Sequence, residues 1–290
     1  MYNFYRRFKK NTPLRRFAGP GLVRLTKSAE QQYIALRRQF TRVEHNSRFR
    51  AICHVGVQKT GTVWFREMFS DLRMYRYSGL PFVDCAGRQA GISVERGIYA
   101  PIRTVTDEVL AQLASPDVAT VGVVRNPVAL VLSWINSTQH YHITGKDDLG
   151  MGRRREALEA SDLSGKIDFA LDYFAQTERF QKIEQLLETQ SGSGAVLVVR
   201  YEDCLLEPDQ SFARIFAFCD IAMPDDVRAA FIADHDFAAY SGRSITDQAP
   251  AGSSLQGRSQ ERVRELPGDL QERILAAALP RLRDLYACRD

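Results

Sequence analysis

One lysine, two threonines and two glycines lie within seven residues, and this grouping is typical of a loop that holds an anion. The segment reads Gly56-Val57-Gln58-Lys59-Thr60-Gly61-Thr62-Val63-Trp64. The apolar run 51–55 before it predicts a buried strand, and residues 65–69 after it favour a helix. Backbone N–H groups at a helix N-terminus, the helix dipole and a lysine together attract a phosphate. The segment therefore predicts a phosphate-binding loop between a strand and a helix.

The order of residues in this loop differs from that of an ATP-binding Walker A loop, in which lysine follows the second glycine. Here Lys59 precedes Gly61, and the tripeptide Gly-Lys-Ser/Thr occurs nowhere in the chain. The order Lys-Thr-Gly-Thr resembles instead the 5′-phosphosulfate loop of sulfotransferases, which use 3′-phosphoadenosine 5′-phosphosulfate (PAPS). The resemblance implies that this co-substrate contacts the loop residues Gln58, Lys59, Thr60, Gly61, Thr62 and Val63.

A second apolar run, 118–124, ends at Arg125-Asn126-Pro127. Asn126 is a good helix N-cap and Pro127 suits the first helical position, so we expect a helix to follow. Ser133 lies seven residues beyond Asn126, two turns along the same helix face. This pattern resembles the 3′-phosphate motif of sulfotransferases, which implies that Arg125 and Ser133 bind the 3′-phosphate. The family usually has aspartate where this chain has Asn126.

A third apolar run, 195–199, ends at Arg200-Tyr201-Glu202-Asp203, and Glu207-Pro208 and an amphipathic segment follow. This segment resembles the sulfotransferase strand that ends in Tyr-Glu-Asp, which implies that Tyr201 lies near the adenine. The three matches occur in the family's order over roughly residues 51–220. The chain is accordingly identified as a sulfotransferase-like protein.

The alternation of strands and helices predicts an α/β fold with a P-loop-like parallel sheet and helices on both faces. Strands are expected near 51–57, 119–124 and 195–200, and helices near 61–72, 106–114, 127–138, 166–189, 209–219 and 259–286. Ligands of such folds bind at the C-terminal strand ends, where Lys59, Arg125 and Tyr201 would lie. The glycine-containing segment Tyr141–Ser161 is expected to be an exposed loop or lid at the acceptor site.

Transfer of a sulfuryl group requires a base for the acceptor's proton and a cation for the leaving oxygen. Lys59 suits the second role. Glu67 is our preferred base, because it lies two helical turns beyond Thr60 and has apolar neighbours. The stretch 56–69 also resembles the heparan-type sulfotransferases, in which a glutamate at this spacing is the base.

Histidines remain as alternative bases. His140 and His142 follow the helix that carries Ser133. Small-molecule sulfotransferases use a histidine in a Lys-Thr-His-x-Pro segment, whose nearest counterpart here has Tyr99 at the histidine position. His54 belongs to the first strand, where we expect either a core histidine with its hydrogen bonds satisfied or a group that supports the site residues.

One family element is absent from the sequence. Sulfotransferases usually carry a C-terminal Arg-Lys-Gly clamp on the 3′-phosphate, and residues 253–259 contain neither this tripeptide nor a tryptophan. Arg258, or alternatively Arg243, is the candidate that replaces it.

The charge of the chain is concentrated at its N-terminus. Residues 1–50 hold 13 Lys/Arg and 2 Asp/Glu, a balance of +11, whereas the whole chain has 39 − 35 = +4. We therefore expect a basic, partly helical N-terminal arm at 1–50 and a sulfotransferase-like domain at 51–290. Aromatic residues interleave the basic ones, which suits an anionic surface such as a membrane leaflet or a glycan. A solvated arm, or a helix packed on the domain, is the alternative.

Composition limits the cellular context and the cofactors. The N-terminus has no apolar core of a secretory signal, and five widely spaced cysteines form no Cys-x-x-Cys pair. We expect a cytoplasmic protein, peripheral to the inner membrane face where the arm binds it, with no metal and no nucleic-acid partner.

Three functions stay open at this point. The first is transfer of a sulfuryl group from PAPS to a hydroxyl or amine of a carbohydrate or glycolipid. The second is a non-catalytic sulfotransferase-like protein that binds a glycan, and the third is a P-loop nucleotide kinase.

Overall fold

The centre of the fold is one sheet of five parallel strands in the order β2-β3-β1-β4-β5. A computed structural model of the chain describes residues 32, 36–85, 95–103, 106–140, 149–192, 194–236 and 263–287. The strands are β1 (Ala51–Val55), β2 (Phe82–Asp84), β3 (Gly97–Ile102), β4 (Val118–Val124) and β5 (Val196–Arg200). The helices are α1 (Thr62–Phe69), α2 (Leu72–Ser78), α3 (Asp107–Leu113), α4 (Pro127–His140), α5 (Leu149–Glu159), α6 (Leu163–Gln176), α7 (Arg179–Gly192), α8 (Tyr201–Leu206), α9 (Pro208–Phe218), α10 (Asp225–His235), α11 (Gly268–Ala277) and α12 (Pro280–Ala287).

Both faces of the sheet are covered, and the strand residues alternate between them. In β1, Ala51, Cys53 and Val55 join the core under helices α3, α4, α6, α7, α11 and α12. Ile52 joins the opposite core, under α1, α2, α8, α9 and α10. Because a parallel sheet is buried on both sides, its strands are continuous apolar runs, and this is the pattern that made β1, β4 and β5 predictable. The predicted α/β fold is therefore confirmed.

Several predicted segments differ in detail. Strands β2 and β3 were not predicted, although β3 lies next to β1 in the sheet. The segment Tyr141–Ser161 is not a loop throughout, because α5 occupies Leu149–Glu159. The single helices expected near 166–189 and 259–286 are each divided, into α6 and α7 in the first case and α11 and α12 in the second. Helix α10 was also not predicted.

The last residues of the basic N-terminal segment pack against the domain. The amides of Glu44 and Ser47 donate to the carbonyls of Arg76 and Ser78 at 2.8 Å each. Phe49 is buried in the core that contains α1 and α2. Residues 1–31 of the predicted arm lie outside the described residues.

Four of the five cysteines lie among the described residues, and all four are buried free thiols: Cys53, Cys85, Cys204 and Cys219. No helix in the described segments is long and apolar enough to cross a membrane. Those same segments contain no group of three His, Cys, Asp or Glu side chains that could hold a metal ion.

Candidate active site

Four polar or basic residues follow directly on four neighbouring strands. Arg103 comes after β3, the loop with Lys59 after β1, Arg125 after β4 and Tyr201 after β5. Since β3, β1, β4 and β5 are adjacent and parallel, these residues line up along the C-terminal edge of the sheet. This edge is where open α/β folds bind their ligands. Arg103 was not predicted, because strand β3 was not recognised in the sequence.

The loop between β1 and α1 has an unusual backbone. Lys59 and Gly61 both have positive φ angles, 78° and 79°. A left-handed conformation at a lysine is uncommon and costs free energy that the surrounding structure must offset. Gly61 is the N-cap of α1 and provides no side-chain hydrogen bond to the first-turn amides. The first turn of α1 therefore presents open N–H donors, the arrangement that binds phosphate.

Tyr201 packs against this loop so closely that residue 61 must be glycine. A Cβ atom at Gly61 would lie 2.7 Å from Cε2 of the Tyr201 ring. Arg125 also contacts this ring, with its guanidinium carbon 4.9 Å from the ring centroid. Tyr201 is 9% exposed, so little of its ring is left open to solvent. The three predicted residues from three chain segments are thus brought together.

The N-terminus of α4 forms as predicted and is tied to the same place. The side-chain oxygen of Asn126 accepts from the amides of Val128 at 3.0 Å and Ala129 at 3.1 Å. The backbone N–H of Asn126 donates to a carboxylate oxygen of Glu202 at 3.1 Å. The other oxygen of Glu202 accepts from the hydroxyl of Tyr286 on α12 at 2.8 Å. Glu202 therefore connects the Arg125 segment to the C-terminal helix.

The environment of Lys59 is strongly positive. Burial, followed by the charges of Arg125, Arg103 and Arg179, lowers the pKa of the Lys59 ammonium to about 8. Among the described residues Lys59 forms no ion pair with a carboxylate. An ammonium with three guanidinium neighbours and no counterion is an unfavourable arrangement that an anionic ligand would stabilise.

Arg179 is a second basic residue that sequence reasoning missed. It begins α7, and its Nη2 donates to Oε1 of Gln58 in the loop at 3.0 Å. The side chain is 8% exposed. No motif signals this residue in the sequence, since only the packing of α7 beside the loop brings it there.

Glu67 lies on α1, one turn beyond Val63. Val63 is 45% exposed and Glu67 is half-buried, so this side of the helix is open to solvent near the loop. Its neighbour Arg66 is paired with Asp84 at the end of β2, with Nε to Oδ1 at 3.0 Å. Glu67 is thus on the partly exposed side of α1, beside the loop, where a base would meet an acceptor.

The remaining candidates are less directly connected to the loop. Ser133 is half-buried on α4. His140 is exposed at the other end of this 14-residue helix, about 20 Å along its axis from Pro127. His142, Arg243 and Arg258 lie outside the described residues.

Two residues of the inner strands are excluded from direct chemistry by their position. Tyr99 is 2% exposed in the middle of β3, and its hydroxyl donates to the Glu95 carbonyl at 2.7 Å. His54 is fully buried against Phe65, with ring centroids 4.9 Å apart. Among the described residues neither ring nitrogen of His54 has a hydrogen-bond partner, contrary to the expectation of satisfied hydrogen bonds. Burial lowers its pKa to about 3 and keeps the ring neutral.

The site fits a nucleotide that carries phosphate and sulfate groups. Lys59 has no counterion, and the buried Nε of Arg125 has no hydrogen-bond partner among the residues described. Tyr201 lies beside these cations, with 9% of its surface open to a nucleotide. The donors are all cationic or backbone N–H groups, which are the groups that bind sulfate and phosphate oxygens.

Comparison with known proteins agrees with this geometry. Residues 50–272 match the sulfotransferase domain family. Among solved structures, mouse sulfotransferase SULT7A1 complexed with PAP is similar at a TM-score of 0.50 and 16% identity, over 84% of this chain and 90% of that one. A retinol dehydratase in complex with androsterone and inactive cofactor PAP aligns at a TM-score of 0.46 and 14% identity, over 78% of this chain and 79% of that one. No curated protein sequence matches the chain.

The family match spans the loop, the Arg125 segment, the Tyr201 segment and most of the helices on both faces. The mouse enzyme supports the same fold. The nucleotide-kinase hypothesis has no comparable support. The chain therefore belongs to the sulfotransferase domain family, whose enzymes move a sulfuryl group from PAPS to an acceptor.

Proposed function

We propose that this sulfotransferase transfers the sulfuryl group of PAPS to a hydroxyl or amine of a carbohydrate or glycolipid acceptor. The observation that carries the proposal is the row of basic residues at the C-terminal strand ends. There Lys59 has no counterion among the residues that the structure describes, and its pKa is lowered to about 8. Bound PAPS supplies an activated sulfuryl group whose leaving group is a phosphate.

The residues along this edge of the sheet bind different parts of the nucleotide. The ammonium of Lys59 neutralises charge that develops on the leaving oxygen. The first-turn amides of α1 bind the 5′-phosphate, and Arg125 with Ser133 binds the 3′-phosphate. Tyr201 contacts the adenosine. A further basic residue, Arg258, is the candidate for a second contact with the 3′-phosphate.

Glu67 accepts the proton of the attacking hydroxyl. Its support is its place on the exposed side of α1 and its spacing from the loop, which resembles that of the heparan-type enzymes. The same resemblance is the reason for proposing a carbohydrate acceptor. His140 is the weaker candidate, because α4 places it at the helix end far from Arg125.

The basic residues of 1–50 would bring the enzyme to an anionic surface. Thirteen Lys/Arg against two Asp/Glu in this segment favour the inner face of a membrane, which is rich in anionic lipids. A cytoplasmic enzyme of this kind would meet glycolipid acceptors there.

Calorimetric titration with 3′-phosphoadenosine 5′-phosphate (PAP), the product nucleotide, tests the proposal. We expect micromolar binding of PAP and at least tenfold weaker binding of AMP and ATP, which lack the 3′-phosphate. Incubation with radiolabelled PAPS and a panel of glycans and glycolipids then tests transfer. Equal binding of ATP and PAP, or PAP binding without transfer to any carbohydrate, would contradict the proposal. The second result would favour a glycan-binding protein.

A further inference from the structure

Arg179 is a buried cation beside the phosphosulfate loop. Its side chain is 8% exposed, and its guanidinium carbon lies 4.9 Å from the ring centroid of Tyr173 and 5.0 Å from that of Phe174. Both rings belong to α6. The guanidinium is therefore held in a fixed place between α6 and the loop.

The hydrogen bonds of this guanidinium are all to neutral groups. Nε donates to the Thr177 hydroxyl at 3.1 Å, and Nη2 donates to Oε1 of Gln58 at 3.0 Å and to the Tyr173 hydroxyl at 3.4 Å. Nη1 is buried and has no hydrogen-bond partner in the described part of the chain. No carboxylate of the described segments forms an ion pair with Arg179. A buried charge without a counterion is costly, so a role that involves an anion is expected of it.

Other positive charges near Arg179 make a bound anion still more favourable. Arg154 of α5 stacks on the same Tyr173 ring, with its guanidinium carbon 4.8 Å from the centroid. The charge of Arg154, after burial, lowers the pKa of Arg179, and Arg179 in turn contributes to the lowered pKa of Lys59. Three cations thus converge on the side of the loop where Gln58 lies.

Arg179 lies away from Tyr201, the proposed adenosine contact. Tyr201 belongs to the core on the sheet face that carries α1 and α8. Phe174 and Tyr173 belong to the core on the opposite face, with α4, α6 and α7. The loop lies between them, so an anion at Arg179 would approach from the side opposite the proposed adenosine contact. The side of the loop away from Tyr201 is then the one left for the acceptor.

We propose that Arg179, with Arg154 and Tyr173, forms a subsite for an acidic group of the acceptor. This inference rests on the proposed function, and it narrows the acceptor to molecules that already bear a carboxylate, sulfate or phosphate near the reacting hydroxyl. In the free protein the amide oxygen of Gln58 occupies one donor of Arg179. The acidic group of the acceptor displaces this amide and also takes the free Nη1, which yields a two-point contact typical of arginine with oxyanions.

The test uses matched pairs of sugars that differ in one acidic group. Full-length protein saturated with PAP is titrated with 4-nitrophenyl β-D-glucuronide and the β-D-glucoside, with glucose 6-sulfate and glucose, and with glucose 6-phosphate and glucose. We expect the acidic member of at least one pair to bind at least tenfold more tightly. In Arg179→Gln this preference should fall to within twofold, while the dissociation constant of PAP rises by less than tenfold.

Two further variants separate this role from a structural one. Arg179→Lys keeps the charge but not the forked donors, so part of the preference should remain. Lys182→Gln removes a charge on the next turn of α7, where Lys182 donates to the Thr177 carbonyl at 2.9 Å, and it should change nothing. The comparison of acidic with neutral sugars uses wild-type protein alone, so this part of the test does not depend on how well a variant folds.

Three outcomes would overturn the inference. One is that no acidic sugar binds more tightly than its neutral partner to wild-type protein. A second is an equal loss of preference in Lys182→Gln. A third is a tenfold or larger loss of PAP affinity in Arg179→Gln, which would assign Arg179 to the nucleotide. Failure of wild-type protein to bind PAP would instead overturn the proposed function.

Discussion

The guanidinium of Arg125 holds the backbone of Lys59, since its Nη1 donates to the Lys59 carbonyl at 2.8 Å. Lys59 is one of the two residues of this loop that have a left-handed backbone, with φ 78°. Arg125 is thereby placed to bind a phosphate and also to keep the neighbouring loop in its strained conformation. Two segments that are 66 residues apart in the chain, and adjacent in the sheet as β1 and β4, act as one site.

Replacement of Arg125 by lysine tests this double role. Lysine keeps a positive charge, but its single ammonium cannot contact both the Lys59 carbonyl and a phosphate with arginine's fork geometry. We expect PAP to bind ten- to a hundredfold more weakly, about 1.5–3 kcal/mol, the usual worth of a hydrogen bond to a charged group. Calorimetry measures the dissociation constant. Arg228→Lys is the control, because Arg228 lies on α10 and pairs there with the exposed Asp225 at 2.8 Å. An Arg125→Lys protein that binds PAP as wild type would remove Arg125 from the site.

The pKa of Lys59 predicts how PAP binding depends on pH. The free site has a lysine pKa of about 8, and a bound anion favours the protonated form and raises that pKa. Below pH 8 Lys59 is already protonated and affinity is flat. Above pH 8 binding must take up a proton, so the dissociation constant should rise by about tenfold per pH unit. Titration in two buffers of different ionisation enthalpy measures the uptake. Lys59→Arg stays charged throughout and should abolish this dependence, and a steep dependence that persists in it would assign the effect to another group.

The lowered pKa of Lys59 also affects the stability of the free protein. This stability should rise with pH, whereas PAP binding should weaken with pH. The pKa of Lys59 is lower in the folded state than its ordinary 10.5, so the unfolded chain binds more protons between pH 8 and 10.5. Stability of the free protein should therefore rise with pH across this window. Removal of the charge in Lys59→Met should stabilise the protein by about 1–3 kcal/mol at pH 7. Urea unfolding at pH 7 and pH 10 checks both statements, and equal stabilisation at the two pH values would contradict them.

The sequence was sufficient to predict those strands, caps and turns that depend on a single local rule. The apolar runs of β1 and β4, the Asn126 cap and the loop glycine Gly61 each follow from residue type and spacing. Strand β3 escaped prediction because Gly97 and Pro101 usually argue against a strand. Helix α5 escaped it because its two glycines and three arginines give no apolar stripe.

The sequence did not predict the site residues Arg103 and Arg179, and in both cases the reason is that only tertiary structure brings them to the site. Arg103 follows a strand that the sequence did not reveal, and Arg179 starts a helix whose contact with Gln58 spans 121 residues of chain. An arginine at a helix start carries no signal of its own, and only the tertiary packing of α7 beside β5 shows what it touches. The orphaned ring of His54 was equally unpredictable, because a buried strand position is expected to have partners for a polar group.

Replacement of Glu67 by glutamine separates the proposed base from a surface glutamate. Glutamine has nearly the same shape but cannot accept a proton. We expect turnover with radiolabelled PAPS and an acceptor to fall by about 10²–10⁴-fold, the usual contribution of a general base. PAP affinity should stay within twofold, since Glu67 lies beyond the loop. Glu108→Gln, on the exposed first turn of α3, is the matched control. Full turnover in Glu67→Gln would transfer the role to His140 or His142, and the corresponding alanine variants would then be tested.

A carboxylate introduced at Gln58 should satisfy the buried Arg179. In Gln58→Glu the new carboxylate replaces the amide oxygen that accepts from Nη2 at 3.0 Å, and the pair becomes charge-assisted. We expect the free energy of unfolding to rise by about 1 kcal/mol and the Tm to rise by about 2–4 °C. PAP binding should weaken, because a negative charge then lies beside the proposed phosphosulfate site. A double-mutant cycle with Arg179→Gln isolates the pair. The same stabilisation in the Arg179→Gln background would show that the carboxylate acts on another group.

The C-terminal helix is expected to support the site through Tyr286. Its hydroxyl donates to Glu202 at 2.8 Å, and Glu202 in turn accepts from the amide of Asn126 next to Arg125. Burial, followed by the negative charge of Glu202, raises the pKa of Tyr286 well above 10, so the hydroxyl stays a donor at all physiological pH values. In Tyr286→Phe the buried carboxylate loses this donor, and we expect a loss of about 1–3 kcal/mol in the free energy of unfolding.

A smaller loss of PAP affinity, about two- to fivefold, should accompany it, because Glu202 holds the segment that carries Arg125. Urea unfolding and calorimetry measure the two effects of Tyr286→Phe separately. Tyr75→Phe is the control, since Tyr75 is half-buried on α2 and its hydroxyl has no hydrogen bond among the described residues. If Tyr286→Phe lost stability but bound PAP as tightly as wild type, Glu202 would anchor α12 without positioning Arg125, and the C-terminal helix would have no part in nucleotide binding.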